Sequence, residues 1–233
     1  MTPLFGYPPV LAYHRVHPET TRKTPTVSPS AFEKQMEILA RRWDPVPLSA
    51  VFESLAGKPL PRRAVAVTFD DGTDDNFTYA FPALARCRIP ATVFLIAGQI
   101  GRPGFLSEEQ IRQMAGARIS FGSHGLDHEY LPSLAKPDLE RTLSDSKRII
   151  ESLGVPAEFV SYPGGGFNAE VIEAARRAGY AGGCTTNRGF RRFPPDRWAL
   201  RRITLHDNAA SPAGIWLRCC GLYGINRSLR APA

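Results

Sequence analysis

The sequence predicts a parallel α/β fold, either an open sheet or a closed barrel. Short apolar runs that are typical of buried strands alternate with helical patterns about six or seven times along the 233 residues. Side chains suited to catalysis directly follow two of these runs, which is where α/β folds carry their functional residues. A hydrophobic content of 43% allows one large core, and no convincing linker interrupts the chain. We therefore expect a single domain over residues 1–233.

The predicted strands are short and mostly apolar on both faces, as in sheets that helices cover. They span residues 10–13, 64–69, 91–97, 118–121, 159–162, 180–186 and 203–205. The helices between them are recognised by their ends. Ser28-Pro29 opens the first helix, Ser107 and Gln110 form a capping-box pattern, and Gly154 ends a long helix. Further helices are expected around residues 77–84, where a proline favours a bend, at 168–178 and from 211 onward.

The net charge of +7 is concentrated in an Arg-rich C-terminal segment, residues 187–233. Nine arginines there stand against Asp196 and Asp207, whereas the rest of the chain is balanced. We expect a solvated surface with scattered ion pairs, and an anionic partner is the alternative. Because no nucleic-acid-binding motif accompanies the arginines, we expect no nucleic-acid partner.

The cysteines and the hydropathy bear on the compartment. The four cysteines follow no zinc-finger or redox spacing and are expected to be free thiols: Cys87, Cys184, Cys219 and Cys220. The N-terminus shows no secretory signal, and no apolar run approaches the roughly 20 residues of a membrane helix. We therefore expect no transmembrane segment and a cytoplasmic location, with the cell envelope as the alternative. The sequence leaves the oligomeric state open.

Asp70 and Asp71 follow the strand at 64–69 in the segment Thr-Phe-Asp-Asp-Gly. Adjacent residues at a strand end point in different directions, so one carboxylate can bind a cation while the other accepts a proton from water. An ordinary turn would also explain the pattern, since Asp and Gly favour turns.

His124 and His128 follow the strand at 118–121. Their spacing brings two imidazoles together on a helical turn or in a tight loop, as metal ligands require. Two imidazoles and one carboxylate would hold a divalent cation and leave a position open to water. Two unrelated loop histidines are the alternative.

A third candidate element is the glycine-rich segment 162–166, Tyr-Pro-Gly-Gly-Gly. Glycines after a strand allow a ligand to approach the backbone closely, and amides before a helix can face a developing oxyanion. Taken alone, the segment also fits any tight turn.

Together these segments resemble the motifs of the polysaccharide deacetylase superfamily, carbohydrate esterase family 4, with its NodB-homology domain. Residues 68–72 are similar to the first motif, 123–128 to the second and 162–165 to the third, in the same order and with similar separations. The resemblance spans nearly the whole chain. It implies an irregular (β/α) barrel of about seven parallel strands.

The resemblance also implies a role for each matching residue. Asp70 would be the general base, and the backbone N–H of Gly164 would stabilise the oxyanion. The implied ligands of one divalent metal ion, most often zinc with cobalt, nickel or manganese as alternatives, are Asp71, His124 and His128. The implied substrate-binding residues are Tyr162, Pro163 and Gly165.

The sequence departs from the family pattern at an ion pair. Many members carry an arginine in the third motif and an aspartate on the following strand. Here Ser161 occupies the first position, and residues 184–187 offer no acid at the second. We therefore expect both halves of that pair to be missing, which leaves no buried charge without a partner.

Two histidines are candidates for the general acid. Many relatives use a late Leu-x-His motif, which Leu205-His206 resembles. The poly-N-acetylglucosamine de-N-acetylases instead place this histidine on an N-terminal strand after a tyrosine, as in Tyr13-His14. Because that branch also has the Tyr-Pro form of the third motif, we favour His14 over His206.

The activity implied by the resemblance is metal-dependent hydrolysis that removes an N-acetyl group from an amino sugar of a polysaccharide or glycan. One alternative is an amidase or deformylase of the same fold that acts on a small molecule or a lipid-linked sugar. The other is a non-catalytic glycan-binding protein that retains the metal site.

Overall fold

The computed structural model describes residues 8–19, 24–186 and 196–219. The strands are β1 (Val10–Tyr13), β2 (Arg15–Val16), β3 (Thr26–Val27), β4 (Asp44–Pro45), β5 (Ala64–Phe69), β6 (Ala91–Leu95), β7 (Ile119–Ser123), β8 (Ala157–Ser161), β9 (Gly182–Thr186) and β10 (Leu200–Thr204). The α-helices are α1 (Pro29–Arg42), α2 (Leu48–Ser54), α3 (Phe81–Cys87), α4 (Glu108–Ala115), α5 (Lys136–Ser152), α6 (Ala169–Arg177) and α7 (Pro212–Cys219).

Within these residues, seven parallel strands close a barrel. Hydrogen bonds join them in the order β1, β10, β9, β8, β7, β6 and β5, and β5 pairs with β1 to complete the ring. The short β4 pairs with the start of β5, and β2 pairs with β3 apart from the barrel. The predicted α/β barrel is thus confirmed, and the open-sheet alternative is wrong.

Most residues of the barrel strands are buried because helices cover the outside. All six residues of β5 are buried, as the continuous apolar run predicts. On α1, Phe32, Met36 and Leu39 form the buried face, and the Ser28 side chain accepts a hydrogen bond from the Ala31 amide. These local signals therefore led to correct elements.

Element boundaries differ from the predictions in two informative places. The chain after the aspartate pair forms a single π-helical turn, Asn76–Ala80, and α3 then begins so that Pro82 is its second residue. Pro82 thus lies where the π-helical turn passes directly into α3, and a proline within a continuous helical run favours such a distortion. Strand β10 begins at residue 200, three residues earlier than expected, and this places Arg202 inside the barrel.

Some expectations fall partly outside the described residues. Residues 187–195 and 220–233 of the Arg-rich segment, Cys220, and the first seven residues, where no secretory signal was predicted, are among these. The three described cysteines, Cys87, Cys184 and Cys219, are free thiols. A search of the described helices found none with the length and apolar character needed to span a bilayer. The single domain over residues 1–233 stays a prediction.

The carboxyl ends of the barrel strands meet at one rim, where α/β barrels carry their functional loops. His14 follows β1, the aspartate pair follows β5, and His124 follows β7. The glycine-rich segment 162–166 follows β8. Parallel pairing therefore brings together residues that are more than a hundred positions apart in the chain.

Candidate metal and catalytic site

The three predicted metal ligands converge at this rim. Oδ1 of Asp71 lies 3.6 Å from Nε2 of His124 and 3.6 Å from Nε2 of His128. One ligand atom from each residue lies within 4.8 Å of the other two. These separations are too long for hydrogen bonds but suit three atoms that share one cation.

The local backbone aims these side chains at one point. Asp71 has a φ of 71° and His128 a φ of 60°, which is the left-handed region that non-glycine residues seldom adopt. Such conformations cost energy and persist where the surrounding structure enforces them, often at functional sites.

His124 is held in the state that a metal ligand needs. Its Nδ1 lies 2.7 Å from the carbonyl oxygen of Ser161, which can only accept, so Nδ1 carries the proton and Nε2 presents a lone pair. Burial lowers the pKa of His124 to about 4, although the Asp70 charge opposes this. The imidazole is therefore neutral near pH 7.

Asp71 carries an acceptor that its protein neighbours do not use. Its buried Oδ1 has no hydrogen-bond donor among the described residues. Burial, and secondly the charge of Asp70, raise the pKa of Asp71 to about 6. A cation beside this oxygen would restore the ionised form. The donor set of one carboxylate and two imidazoles thus fits a divalent ion with an open coordination position.

Asp70 is held quite differently, by a buried arginine. Nη1 and Nη2 of Arg202 donate to its two carboxylate oxygens at 2.8 and 2.7 Å, in the bidentate geometry that makes such pairs strong. Burial alone would raise the pKa of Asp70, but the Arg202 guanidinium, helped by His124 and His14, holds it well below its usual range. Asp70 is therefore ionised at all physiological pH values.

Arg202 is the residue that sequence reasoning missed. It also donates to the hydroxyl oxygens of Ser161 and Thr68, at 2.7 and 3.2 Å. Residues 161 and 184–187 lack the family's ion pair, as expected, but a guanidinium from β10 lies beside Ser161. The sequence signal was an arginine within a strand, but the strand was predicted to begin only at residue 203. A solvated surface was expected for the Arg-rich segment, but Arg202 is buried.

His14 is the histidine that lies beside the proposed base. Its Nε2 is 3.9 Å from Oδ2 of Asp70, and its side chain is 18% exposed. His206 lies at the end of β10, just before a short 3₁₀ turn at 207–209, where its carbonyl oxygen accepts a hydrogen bond from Gln35. The choice of His14 as the general acid stays a prediction that this geometry supports.

In the glycine-rich loop, Gly164 has the amide that could reach a ligand. Gly164 is exposed with a φ of 63°, and no described residue accepts a hydrogen bond from its N–H. The amides of Gly165 and Gly166 donate instead to the carbonyls of Tyr162 and Pro163. The Gly165 carbonyl accepts from the Thr185 hydroxyl, so both backbone groups of Gly165 are used internally.

The expectation that Tyr162 and Pro163 contact a substrate stays a prediction, and the burial of both side chains does not favour it. The Tyr162 side chain is fully buried, and its hydroxyl donates to the carbonyl of Trp198. Pro163 is buried as well. These two side chains lie beneath the glycine-rich loop, where apolar packing shields them from solvent.

Tyr130 is an exposed aromatic residue that the sequence analysis did not single out. Its side chain is 55% exposed, the largest value among the exposed large hydrophobic residues described. The ring packs on the glycine-rich loop, and a β-carbon at Gly166 would collide with it. Ser133 fixes the Tyr130 backbone by donating to its carbonyl through both amide and hydroxyl. The exposed Tyr130 ring therefore lies next to Gly164, whose amide has no described acceptor.

Comparisons with known proteins agree with this arrangement. A family model described as polysaccharide deacetylase matches residues 57–183. YxkH of Bacillus subtilis strain 168, a protein assigned to the polysaccharide deacetylases, is 31% identical over 208 residues, which cover 88% of this chain and 74% of that protein. The poly-beta-1,6-N-acetyl-D-glucosamine N-deacetylase of Staphylococcus epidermidis is 28% identical over 64% of this chain and 57% of its own length.

Solved structures show the same fold. The deacetylase PplD of Streptococcus pyogenes, in complex with acetate, has a TM-score of 0.84 and 26% identity over 94% of this chain and 99% of that one. IcaB from Ammonifex degensii has a TM-score of 0.79 and 27% identity over 91% of this chain and 98% of its own.

Proposed function

The chain belongs to the polysaccharide deacetylase family of hydrolases, and from this premise we propose that it removes the acetyl group from N-acetylated amino sugars of a glycan. The reaction adds water across the amide, breaks the carbon–nitrogen bond and yields acetate and a free amine. The observation that carries the proposal is the convergence of Asp71, His124 and His128 beside the ionised Asp70.

A divalent metal ion fits the three ligands, and zinc is the ion we propose. Neutral imidazoles and a carboxylate are its usual ligands, and catalytic zinc sites have three protein ligands and an open position. When bound, such an ion polarises a carbonyl oxygen and makes a water molecule acidic near neutral pH.

Two side chains of the protein move protons in the proposed reaction. The Asp70 carboxylate accepts a proton from the attacking water, and both of its oxygens keep lone pairs beyond those that Arg202 uses. The protonated His14 imidazole donates to the departing nitrogen, because an amine anion is a very poor leaving group. Proton transfer by a positioned group commonly contributes about 10²- to 10⁴-fold.

Backbone and aromatic groups would hold the substrate. The free N–H of Gly164 donates to the oxyanion that develops on the carbonyl oxygen, and one such donor is worth about 10²- to 10³-fold. The exposed Tyr130 ring offers an apolar face to a sugar ring next to this amide. An exposed aromatic ring at an open rim favours a glycan over a small, fully enclosed substrate. The names of the staphylococcal relatives make β-1,6-linked N-acetylglucosamine the first polymer to examine.

The test is acetate release from a panel of substrates. The panel contains β-1,6- and β-1,4-linked N-acetylglucosamine oligomers, the monosaccharide and a small N-acetylated amine, each with and without chelator. We expect turnover of the oligomers, loss of activity with chelator, and recovery with added zinc or cobalt. Full turnover after chelation would contradict the metal assignment, and turnover of the small amide alone would favour the amidase alternative.

A further inference from the structure

The imidazole of His14 is not held by its own ring nitrogens. Nδ1 is buried without a hydrogen-bond partner among the described residues, and Nε2 lies 3.9 Å from Asp70, beyond hydrogen-bond distance. The backbone of residues 14–16 is therefore the part of this segment that hydrogen bonds hold in place. This backbone leaves the barrel at the end of β1 and enters the two-residue strand β2.

Side chains from the turn after Asp70 and Asp71 hold this backbone. The Asn76 side-chain amide donates to the carbonyl oxygen of His14 at 2.9 Å. Oδ1 of Asp75 accepts from the Val16 amide at 3.1 Å, and Oδ2 accepts from Nε of Arg15 at 2.7 Å. We call Arg15, Thr73, Asp75 and Asn76 the clasp.

The centre of the clasp is buried, and its members are connected by several hydrogen bonds. Asp75 and Asn76 are 2% and 1% exposed. Oδ1 of Asp75 also accepts from the Thr73 hydroxyl and from the side-chain amide of Asn76, each at 3.0 Å. A buried carboxylate is costly unless charge-assisted hydrogen bonds surround it, and here every described donor comes from the clasp or from residue 16. Asn76 also begins the π-helical turn, a distortion that often accompanies functional sites.

We propose that the clasp positions His14 for proton donation to the leaving amine. The clasp joins the segment that carries the proposed acid to the segment that carries the proposed base and a metal ligand. It thereby fixes the distance between His14 and Asp70 without touching substrate. Its members are positioning residues, and the inference rests on the proposed function, in which His14 is the general acid.

Leaving groups separate proton donation from the other steps. An amine departs only after its nitrogen is protonated, whereas 4-nitrophenolate leaves 4-nitrophenyl acetate without a proton. We expect Asn76→Ala to lower kcat on an N-acetylglucosamine oligomer by about 10- to 100-fold, since misplacement by about 1 Å can cost 10²-fold. Hydrolysis of the ester should change by less than about twofold, because the base and the metal ligands are unaltered.

Two further variants provide a smaller expected loss of activity and a control. Arg15→Lys keeps the charge but loses the rigid geometry of the guanidinium, so its effect should have the same direction and be smaller. It also provides a second reading if Asn76→Ala does not fold. The matched control is Asp74→Asn, an exposed position on the same turn, which should leave both activities unchanged.

Three measurements distinguish the positioning of His14 from a role that is merely structural. Zinc per chain should be the same in wild type and Asn76→Ala. The NMR resonances of the histidine rings are measured in the zinc-free protein, and the His14 resonance is assigned by its loss in His14→Ala. In Asn76→Ala this resonance should shift, while those of His124 and His128 should stay in place. In the His14→Ala background, Asn76→Ala should cost less than about twofold further on the oligomer.

Equal losses on amide and ester, or an unchanged His14 resonance together with normal kcat, would overturn the role of the clasp. A wild-type protein that hydrolyses neither substrate would instead refute the proposed function, and it would leave the hydrogen bonds of the clasp as a feature of the fold.

Discussion

The site has a buried half around Asp70 and an open half around Asp71, and the two halves treat neighbouring carboxylates in opposite ways. Asp70 is 2% exposed and receives two hydrogen bonds from Arg202, which hold its pKa well below the usual range. Asp71 has an oxygen without a described donor, and burial with the Asp70 charge raises its pKa to about 6.

This difference suits the two functions that we propose for the neighbouring aspartates of one sequence motif. The protein itself satisfies Asp70, so this carboxylate stays ionised and fixed in orientation. It leaves Asp71 short of partners, which suits a ligand for a cation. The two side chains have different neighbours, Arg202 for Asp70 and the two histidines for Asp71. The following predictions test whether the halves are as distinct as the geometry indicates.

The largest expected effect comes from comparing Asp70→Asn with Asp71→Asn. We expect Asp70→Asn to lose about 10²- to 10⁴-fold in kcat while keeping zinc, because only the proton acceptor is removed. Asp71→Asn should lose zinc and activity together. Zinc per chain, measured by elemental analysis beside acetate release, checks this. Loss of zinc in Asp70→Asn would make Asp70 a ligand and remove the distinction.

Arg202→Met tests whether the buried half depends on its ion pair. It leaves Asp70 as a buried charge without its partner, so the free energy of unfolding should fall by about 3–5 kcal/mol. Urea unfolding of the zinc-free protein measures this. The double variant Asp70→Asn with Arg202→Met should recover part of the lost free energy of unfolding, since neither position of the pair then carries a buried charge. A double variant less stable than Arg202→Met would show that the two residues do not act as a pair.

The smallest effect is expected in the open half, at Tyr130. Tyr130→Ala should raise KM for oligomers by roughly 2- to 12-fold, which corresponds to a ring contact of about 0.5–1.5 kcal/mol. Tyr130→Phe keeps the ring face and should behave like wild type. Hydrolysis of 4-nitrophenyl acetate should be the same in all three proteins. A matching loss on the ester would mean that Tyr130 supports the loop at Gly164 rather than the sugar.

Elements with strong local signals were predictable. The strand at 64–69 was placed correctly because its six residues are all apolar or small and all buried. The capping patterns at Ser28 and Ser107 gave correct helix starts. The convergence of the proposed metal ligands was also predictable, since strand ends in a parallel sheet meet at one rim and residues 70–71 and 124–128 follow such ends.

Residues that act through distant partners were not predictable in this way. Arg202 contacts Asp70 across 132 positions of sequence, and its strand has a mixed polar and apolar pattern. The burial of Tyr162 and the exposure of Tyr130 depend on how the loops pack, and neither is visible in local periodicity. Asn76 reaches His14 across 62 positions for the same reason.

The sequence by itself determined the alternation of strands and helices and the chemical types gathered at the rim, including the aspartate and the two histidines that we propose as metal ligands. The tertiary structure decided that the sheet closes through β1 and β5, which guanidinium neutralises Asp70, and which aromatic ring faces solvent. Apolar periodicity and helix caps are properties of neighbouring residues, whereas ion pairing, burial and strand closure depend on groups that meet only when the chain is folded.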